Sequence, residues 1–162
     1  MQLARGLARR DGRLGPGEHR AGVETLFHPH HHHGGLGVAA LDGDPGVRSA
    51  RYLGPDATYD QRFADIFRRL DAVPTRPRTA RFVAAVACVD PVRVRFETTG
   101  VVEGTIAEAP HGTGGFGYDP IFFYPPFGCT LAEAGDRKST VSHRGHAFRA
   151  LRLELERRVA EG

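Results

Sequence analysis

The sequence predicts an α/β or α+β domain, because segments with the periodicity of helices occur among segments with the periodicity of strands. Residues 82–89 form an unbroken apolar run of strand length, as expected for a strand that is buried on both faces. In residues 58–70, apolar side chains recur every three to four positions, which indicates an amphipathic helix. A chain of 162 residues is long enough to bury a core and is expected to form one domain.

The composition changes near residue 34. Residues 1–34 are rich in arginine and glycine, show little apolar periodicity and end in a run of histidines. Such a segment cannot bury enough apolar surface to order itself, so we expect a disordered arm. Residues 35–162 have the composition of a globular domain, which should begin with a short strand near residues 36–41 and a turn over residues 42–46.

Two helices are predicted in this domain. The first, over residues 58–70, should end before Pro74 and bury one apolar face, formed by Phe63, Ile66, Phe67 and Leu70. The second, over residues 146–159, has Ser142 as a candidate N-cap. Its expected apolar face consists of Phe148, Leu151, Leu155 and Val159.

Three strands are predicted between these helices. The apolar run at 82–89 is followed by a turn at Asp90-Pro91, an alternating strand over 92–97 and a third strand over 101–106. We therefore expect an antiparallel meander over residues 82–107. Further along, Thr130-Leu131-Ala132-Glu133 has the spacing of a capping box, which would begin a helix.

Charge and cysteine content limit the classes of function. The formal net charge of +3 suits a small anionic ligand, although solvation of the surface would explain it equally well. Cys88 and Cys129 are the only cysteines and have no metal-site spacing, so we expect neither a disulfide scaffold nor a zinc site, and we expect a reducing cytoplasm. The apolar runs are too short to span a membrane, and neither a membrane nor nucleic acid is expected as a partner.

Residues 112–145 carry the chemistry of a nucleotide site. The segment combines a glycine-rich loop with a flat ring beside a carboxylate, and adds an ammonium, an imidazole and a guanidinium group. A nucleotide needs a ring to stack on, cations for its phosphates and a planar donor for carbonyl oxygens. The candidate ligand-binding residues are Phe116, Gly117, Tyr118, Asp119, Lys138, His143 and Arg144.

Each of these residues also has a purely structural interpretation. Phe116 either stacks on a base or packs in the core, and Asp119, which precedes a proline, suits a turn as well as a pocket. Lys138 would by default be a solvated surface lysine. His143 and Arg144 lie just before the second helix, where they could contact a ligand or only cap the helix.

The same segment resembles a known family. GFGYDPIF, followed by a T-x-A-E step, a lysine and SHRG, is similar to the C-terminal signature of the inosine/xanthosine triphosphate pyrophosphatases, the RdgB-like house-cleaning enzymes. Further similar blocks occur at residues 38–41, 43–54 and 79–89, so that the resemblance covers roughly residues 34–155. It implies a mixed, elongated central sheet flanked by helices, with the N-terminal part of this fold incomplete.

The resemblance also implies a function. Members hydrolyse ITP, dITP and XTP to the monophosphate and pyrophosphate with Mg²⁺, as homodimers, and the matching residues 116–119, Lys138, His143 and Arg144 would bind the base. A guanidinium at Arg144 can donate to O6 of hypoxanthine or xanthine, where adenine presents a donor instead. In the block that contains Arg48, Ser49 and Arg51, the implied role is structural and dimer-forming, with Arg48 as a candidate phosphate contact.

The chain departs from the family just before Gly35. Where the family has Asp-Asp-Ser-Gly-Leu, this chain has His32, His33, Gly34, Gly35 and Leu36. Histidine is a poor ligand for Mg²⁺, so the ligands of the implied Mg²⁺ cannot be identified, and His33 is the candidate at the general-base position. The family's phosphate loop, Thr/Ser-Gly-Asn-x-x-Lys, has no counterpart here. We therefore expect a divergent, truncated or frame-shifted N-terminus and little hydrolysis by this chain.

The histidine run supplies a further hypothesis. Imidazoles at this density bind Zn, Ni or Cu in some proteins, and a solvated loop is the simpler interpretation; the run consists of His28, His30, His31, His32 and His33. Three functions therefore stand: an active pyrophosphatase, a nucleotide-binding remnant without turnover, and a metal- or partner-binding module. Glu24, Asp42 and Asp44 are the nearby acids, and we do not expect them to replace the family's carboxylates.

Overall fold

A computed structural model describes residues 34–89 and 94–161, together with the backbone of residues 22–24. It contains six strands, three α-helices and five short 3-10 helices in these residues; the 3-10 helix Gly46–Arg51 is called the 46–51 turn below. The strands are β1 (Gly22–Glu24), β2 (Gly35–Val38), β3 (Thr79–Val89), β4 (Val94–Ile106), β5 (Phe122–Tyr124) and β6 (Cys129–Thr130), and the helices are α1 (Tyr59–Asp71), α2 (Lys138–Val141) and α3 (His143–Glu161).

The strands form one sheet in the order β1-β3-β4-β5-β6, and β2 pairs with the same edge of β3 as β1 does. Strand β1 lies opposite residues 87–89, and β2 lies opposite residues 80–83. The α/β class and the central sheet are confirmed. Every pairing among the described strands is antiparallel, so the parallel pairs of a mixed sheet do not occur in them.

Strand β4 corrects the predicted meander. The sequence suggested two strands, over 92–97 and 101–106, whereas β4 pairs with β3 from Val94 through Thr105 with one irregularity near its start. Gly100, which lies between the two predicted strands, is buried in the middle of this strand. It continues the pairing because helix α3 crosses the strand at this residue and leaves no room for a side chain.

Helix α1 confirms the first predicted helix. Thr58 is its N-cap and forms a reciprocal capping box with Gln61. Phe63, Ile66 and Leu70 are buried in a core that they share with β2, β3 and β5, and Phe67 packs at its edge. This core fixes α1 against the sheet and thereby the turn of residues 46–51, which borders the candidate site.

Helix α3 confirms the second helix but not its predicted face. The helix begins at His143, and Ser142 accepts a hydrogen bond from Gly145 N–H at 3.4 Å, as an N-cap does. Of the four residues predicted to be buried, only Leu151 is; Phe148, Leu155 and Val159 are 49, 38 and 81% exposed. The prediction was wrong because small Ala147, beside Leu151, turns the helix so that these two residues face the sheet.

The predicted capping box at residues 130–133 forms only in part. Glu133 accepts a hydrogen bond from Thr130 N–H at 2.9 Å, but Glu133 N–H donates to the Thr130 carbonyl instead of the hydroxyl. The segment is a turn and begins no helix. The Thr130 hydroxyl, 2.8 Å from the His111 carbonyl, instead ties this turn to the glycine-rich loop.

The predicted arm falls largely outside the described residues. Strand β1 lies within it, whereas the histidine run and the rest of residues 1–21 and 25–33 are not described. In the parts of the chain that are described, no helix combines the length and the apolar character needed to cross a bilayer.

Candidate nucleotide site

A cleft of about 560 Å³ opens between one face of β3, the start of α3 and the loop that contains Phe116. Alternation along β3 places Phe82, Ala84 and Val86 on the face that forms its floor. The start of β2 and residues of the 46–51 turn close one side, and Phe148 of α3 closes another. The volume is within the range of about 300–1,000 Å³ typical of small-molecule sites.

The loop of residues 115–119 is held by a buried carboxylate. Asp119 is 3% exposed and accepts a hydrogen bond from Phe116 N–H at 2.6 Å. Gly115 has a φ of 73°, and a Cβ built on it would lie 2.3 Å from Asp119 Oδ2. A side chain at Gly115 would therefore displace the carboxylate, which closes the loop and holds the Phe116 backbone.

Two cations lie against the exposed ring of Phe116. Lys138 Nζ, which forms an ion pair with Asp119, is 4.1 Å from the ring centroid, and Arg144 Cζ is 4.9 Å from it. Phe116 is 58% exposed, so the interpretation as a core residue is wrong. The ring is exposed in the cleft, and both cations lie over its face, so a base that stacks on Phe116 would take the place of one of them.

His143 is neutral at pH 7. Its ring stacks on Phe82, with centroids 5.0 Å apart and planes 14° from parallel. Burial, with smaller contributions from the positive charges of Arg144, Lys138 and His146, lowers the pKa of His143 to about 4. A neutral imidazole has one N–H donor and one acceptor nitrogen, so His143 can distinguish ligand donors from acceptors.

Tyr118 connects the loop to the 46–51 turn. Its side chain is 3% exposed, and its hydroxyl donates to the Ser49 carbonyl at 2.7 Å. Burial raises the pKa of this hydroxyl above its usual value. The ring meets Tyr59 edge-on at 5.4 Å between centroids. Because the hydroxyl already has a partner, Tyr118 offers its ring to the cleft, and Gly117 offers its backbone.

The block that contains Ser49 has a structural role in the described chain. Ser49 Oγ accepts from Leu36 N–H at 2.9 Å and donates to the Gly46 carbonyl at 2.6 Å, which fastens β2 to the turn. Arg48 points to Asp44, at 2.9 Å. Arg51 is exposed at the edge of the cleft and is the arginine of this block that borders it.

The described residues do not provide a magnesium site. Among residues 34–89 and 94–161, His, Cys, Asp and Glu side chains form no cluster of three or more that could hold a metal ion. Asp44 pairs with Arg48 and Arg69, and Asp42 pairs with Arg76. The predicted positions His32 and His33 lie outside the described residues.

The structure therefore brings together the predicted residues of the 112–145 segment, and it adds others that the sequence analysis missed. Phe116, Asp119, His143 and Arg144 line one cleft, and Lys138 contacts two of them. Phe82, Tyr59 and Gly34 also line the cleft. For Phe82, the available signal was the alternation along β3. The smaller residues Ala84 and Val86 lie on the same face of the strand as Phe82 and leave space above it for a ligand.

Comparisons with known proteins show the family of this chain. Residues 31–154 match the model of the Ham1 family. A dITP/XTP pyrophosphatase of Geobacillus kaustophilus is 47% identical over 123 residues, which are 75% of this chain and 60% of that protein. A second one, of Geobacter sulfurreducens, is 45% identical over 122 residues, 75% of this chain and 61% of that protein.

Solved structures show the same fold. A HAM1 protein from Coxiella burnetii has a TM-score of 0.70 at 40% identity, covering 76% of this chain and 64% of the other. The Ham1 protein of Staphylococcus aureus has a TM-score of 0.70 at 36% identity, covering 75% and 63%. The chain spans about 60% of the length of the curated relatives. With a match over residues 31–154 and this agreement in structure, the chain belongs to the Ham1 family.

Proposed function

We propose that this chain forms the base pocket of a nucleoside triphosphate pyrophosphatase, which hydrolyses ITP, dITP and XTP to the monophosphate and pyrophosphate. The observation that carries the proposal is the exposed Phe116 ring, flanked by Lys138 and Arg144 above the buried Asp119 carboxylate. Relatives named dITP/XTP pyrophosphatase support the same substrate class.

The arrangement of donors favours 6-oxo purines. A base stacked on Phe116 would place its six-membered ring near Arg144, whose guanidinium donates to an oxygen at C6. Adenine carries an amino group there, so its donor would face the Arg144 donors and both would lose a partner. The neutral His143 ring and the carboxylate of Asp119 can complete the recognition, because each can accept a hydrogen bond.

The proposal extends to the cofactor, compartment and assembly. We infer Mg²⁺ as the cofactor, because a metal that bridges phosphate oxygens is general in phosphoryl transfer. Among the described residues, His, Cys, Asp and Glu side chains form no cluster of three or more that could hold it. A cytoplasmic homodimer fits the free thiols of Cys88 and Cys129 and the exposed apolar residues of α3.

A second candidate is a protein that binds the nucleotide without turning it over. It is favoured by the histidines at positions 32 and 33, where the family has carboxylates. Loss of a positioned general base typically costs about 10²–10⁴-fold in rate. We therefore expect little Mg²⁺-dependent hydrolysis by this 162-residue chain, even though most of the residues proposed to bind the base line one cleft.

Binding and turnover are tested separately. Calorimetric titration should show ITP bound at least about tenfold more tightly than ATP, as expected for one charge-assisted hydrogen bond. The variant Phe116→Leu should lose most of the binding of both nucleotides. Phe127→Leu is the matched control, because the ring of Phe127 also has an arginine over it, with Arg137 Cζ 4.6 Å from its centroid, but lies outside the cleft. This variant should bind both nucleotides as the wild type does.

Pyrophosphate release from ITP with excess Mg²⁺ and a coupling pyrophosphatase then separates the two candidates. Turnover comparable to that of the Geobacillus kaustophilus relative would support the enzyme and show that groups other than His32 and His33 carry the chemistry. Tight binding with little turnover would support the second candidate. Equal affinity for ITP and ATP would refute both.

A further inference from the structure

Helix α3 rests directly on the backbone of β4 at Gly100. A Cβ built on this buried glycine would lie 2.0 Å from the His143 carbonyl oxygen, 2.4 Å from Ala147 N and 2.9 Å from His146 Cβ. Real Cβ atoms keep about 3.4–4 Å from such neighbours. Only glycine at residue 100 therefore allows the helix to approach the strand this closely.

Two hydrogen bonds hold the helix on either side of this contact. The Thr98 hydroxyl donates to the Ala147 carbonyl at 3.0 Å, and His146 Nδ1 lies 3.2 Å from the Val101 carbonyl oxygen. Residues 98–101 of β4 therefore determine where the first two turns of α3 lie. We call this contact region the helix seat.

The helix seat supports the residues that face the base. His143 and Arg144 are the first residues of α3, and the atom nearest to the added Cβ is the carbonyl oxygen of His143 itself. His143 also stacks on Phe82 of β3. A shift of α3 away from β4 would therefore move both donor side chains relative to the floor of the cleft.

We propose that Gly100 and Thr98 are positioning residues that set the preference for 6-oxo over 6-amino purines by fixing His143 and Arg144 through the helix seat. This inference rests on the proposed function. Hydrogen bonds are made over a narrow range, about 2.7–3.2 Å between heavy atoms, and relief of the contact at Gly100 requires a shift on the order of 1 Å. Phe116 lies in a different loop, and every purine can stack on its ring. A shift of α3 should therefore reduce the preference for ITP over ATP more than it reduces the affinity for either nucleotide.

The test compares variants on the two faces of one strand. Gly100→Ala should reduce the ITP:ATP affinity ratio about tenfold or more, since a misplacement of about 1 Å can cost on the order of 10²-fold. Thr98→Val, which removes one hydrogen bond at constant shape, should reduce the ratio about threefold, and Thr98→Ser should restore it. Thr99→Val is the matched control on the exposed face of β4 and should leave the ratio unchanged.

An NMR readout in the free protein shows whether the helix has moved. The His143 ring protons lie in the ring-current field of Phe82, so their chemical shifts should change in Gly100→Ala and Thr98→Val but not in Thr99→Val. Melting temperatures of all four variants measure stability separately. If Gly100→Ala does not fold, the Thr98→Val and Thr98→Ser pair decides.

The outcomes are distinguishable from those of the proposed function. A wild-type chain that does not prefer ITP would refute the proposed function and this inference together. A wild-type preference that persists in Gly100→Ala and Thr98→Val would refute this inference alone. Equal losses for ITP and ATP, or a changed ratio with unmoved His143 resonances, would show that the seat only stabilises the fold and would likewise overturn it.

Discussion

Replacement of Arg144 by alanine tests the proposed base recognition most directly. The guanidinium lies 4.9 Å from the centre of the Phe116 ring, within reach of the edge of a base stacked there. The proposed hydrogen bond from this guanidinium to O6 would be charge-assisted and worth about 1.5–3 kcal/mol, or about 10- to 150-fold in affinity at about 1.4 kcal/mol per tenfold. Because Arg144 is exposed in the free protein, solvent screening favours the lower end, about tenfold for ITP.

The loss for ATP should be smaller. With adenine, Arg144 contributes only its contact with the aromatic ring, about 0.5–1 kcal/mol at an exposed site, which corresponds to less than about fivefold. Calorimetric titration of the wild type and Arg144→Ala with ITP and with ATP measures both losses. Arg144→Lys, which keeps the charge but not the planar pair of donors, should recover only part of the ITP affinity.

The matched control is Arg137→Ala. Arg137 makes the same kind of contact with Phe127, at 4.6 Å, outside the cleft, so its removal should change neither affinity. Equal losses of ITP and ATP in Arg144→Ala would place Arg144 on the phosphates and refute the reasoning. Unchanged affinities for both nucleotides would show that the base does not bind at Phe116.

Two further predictions concern stability. Tyr118→Phe leaves the Ser49 carbonyl without its hydrogen-bond donor at 2.7 Å and should lower the free energy of unfolding by about 1–3 kcal/mol. The control Tyr124→Phe on β5 should change this free energy by less than about 0.5 kcal/mol. Urea denaturation measures both variants, and equal changes would contradict the hydrogen bond assigned to Tyr118. For His143, the folded pKa of about 4 lies below the unfolded value of about 6.5, so the unfolded chain takes up a proton first as the pH falls. The free energy of unfolding should therefore drop between pH 6.5 and 4, by at most about 1.4 kcal/mol per pH unit, and a His143→Gln variant that keeps this slope would rule out His143 as its source.

The fold was predictable where local periodicity decides it. Helix α1 and strand β3 were predicted from the spacing of their apolar residues. Helix α1 buries one face, so its apolar residues recur every three to four positions, and β3 is buried on both faces, so its apolar residues form an unbroken run. The continuity of β4 could not be predicted, because Gly100 is kept in the strand by a helix that comes much later in the chain. The packed face of α3 was missed for the same reason: the sequence shows several apolar stripes, and contact with the sheet selects Ala147 and Leu151.

The candidate site was predictable to the extent that one segment contains it. Residues 116–119 and the cations that follow them are close in sequence, and the structure brings them to one cleft; their binding of a nucleotide stays a prediction. Tyr59 could not be identified, since it reaches the cleft only through the docking of α1. Phe82 was missed because its one signal, the small residues on the same face of β3, shows neither the cleft nor its other walls. The pairing of Lys138 with Asp119 likewise depends on how the loop closes.

In the proposed function, recognition of the base and hydrolysis of the anhydride would draw on different parts of this chain. Each wall of the base pocket is fixed by contacts within the described residues: Asp119 holds the loop, Tyr118 fastens it to Ser49, and the helix seat holds α3. Such preorganised donors keep their selectivity whether or not a reaction follows. The departures from the family that the sequence indicates, by contrast, lie in the segment that precedes Gly34, a residue that also lines the cleft. This chain should therefore prefer ITP over ATP even if it hydrolyses neither nucleotide. Introducing carboxylates at positions 32 and 33 should change the rate of pyrophosphate release and leave the ITP:ATP affinity ratio unchanged.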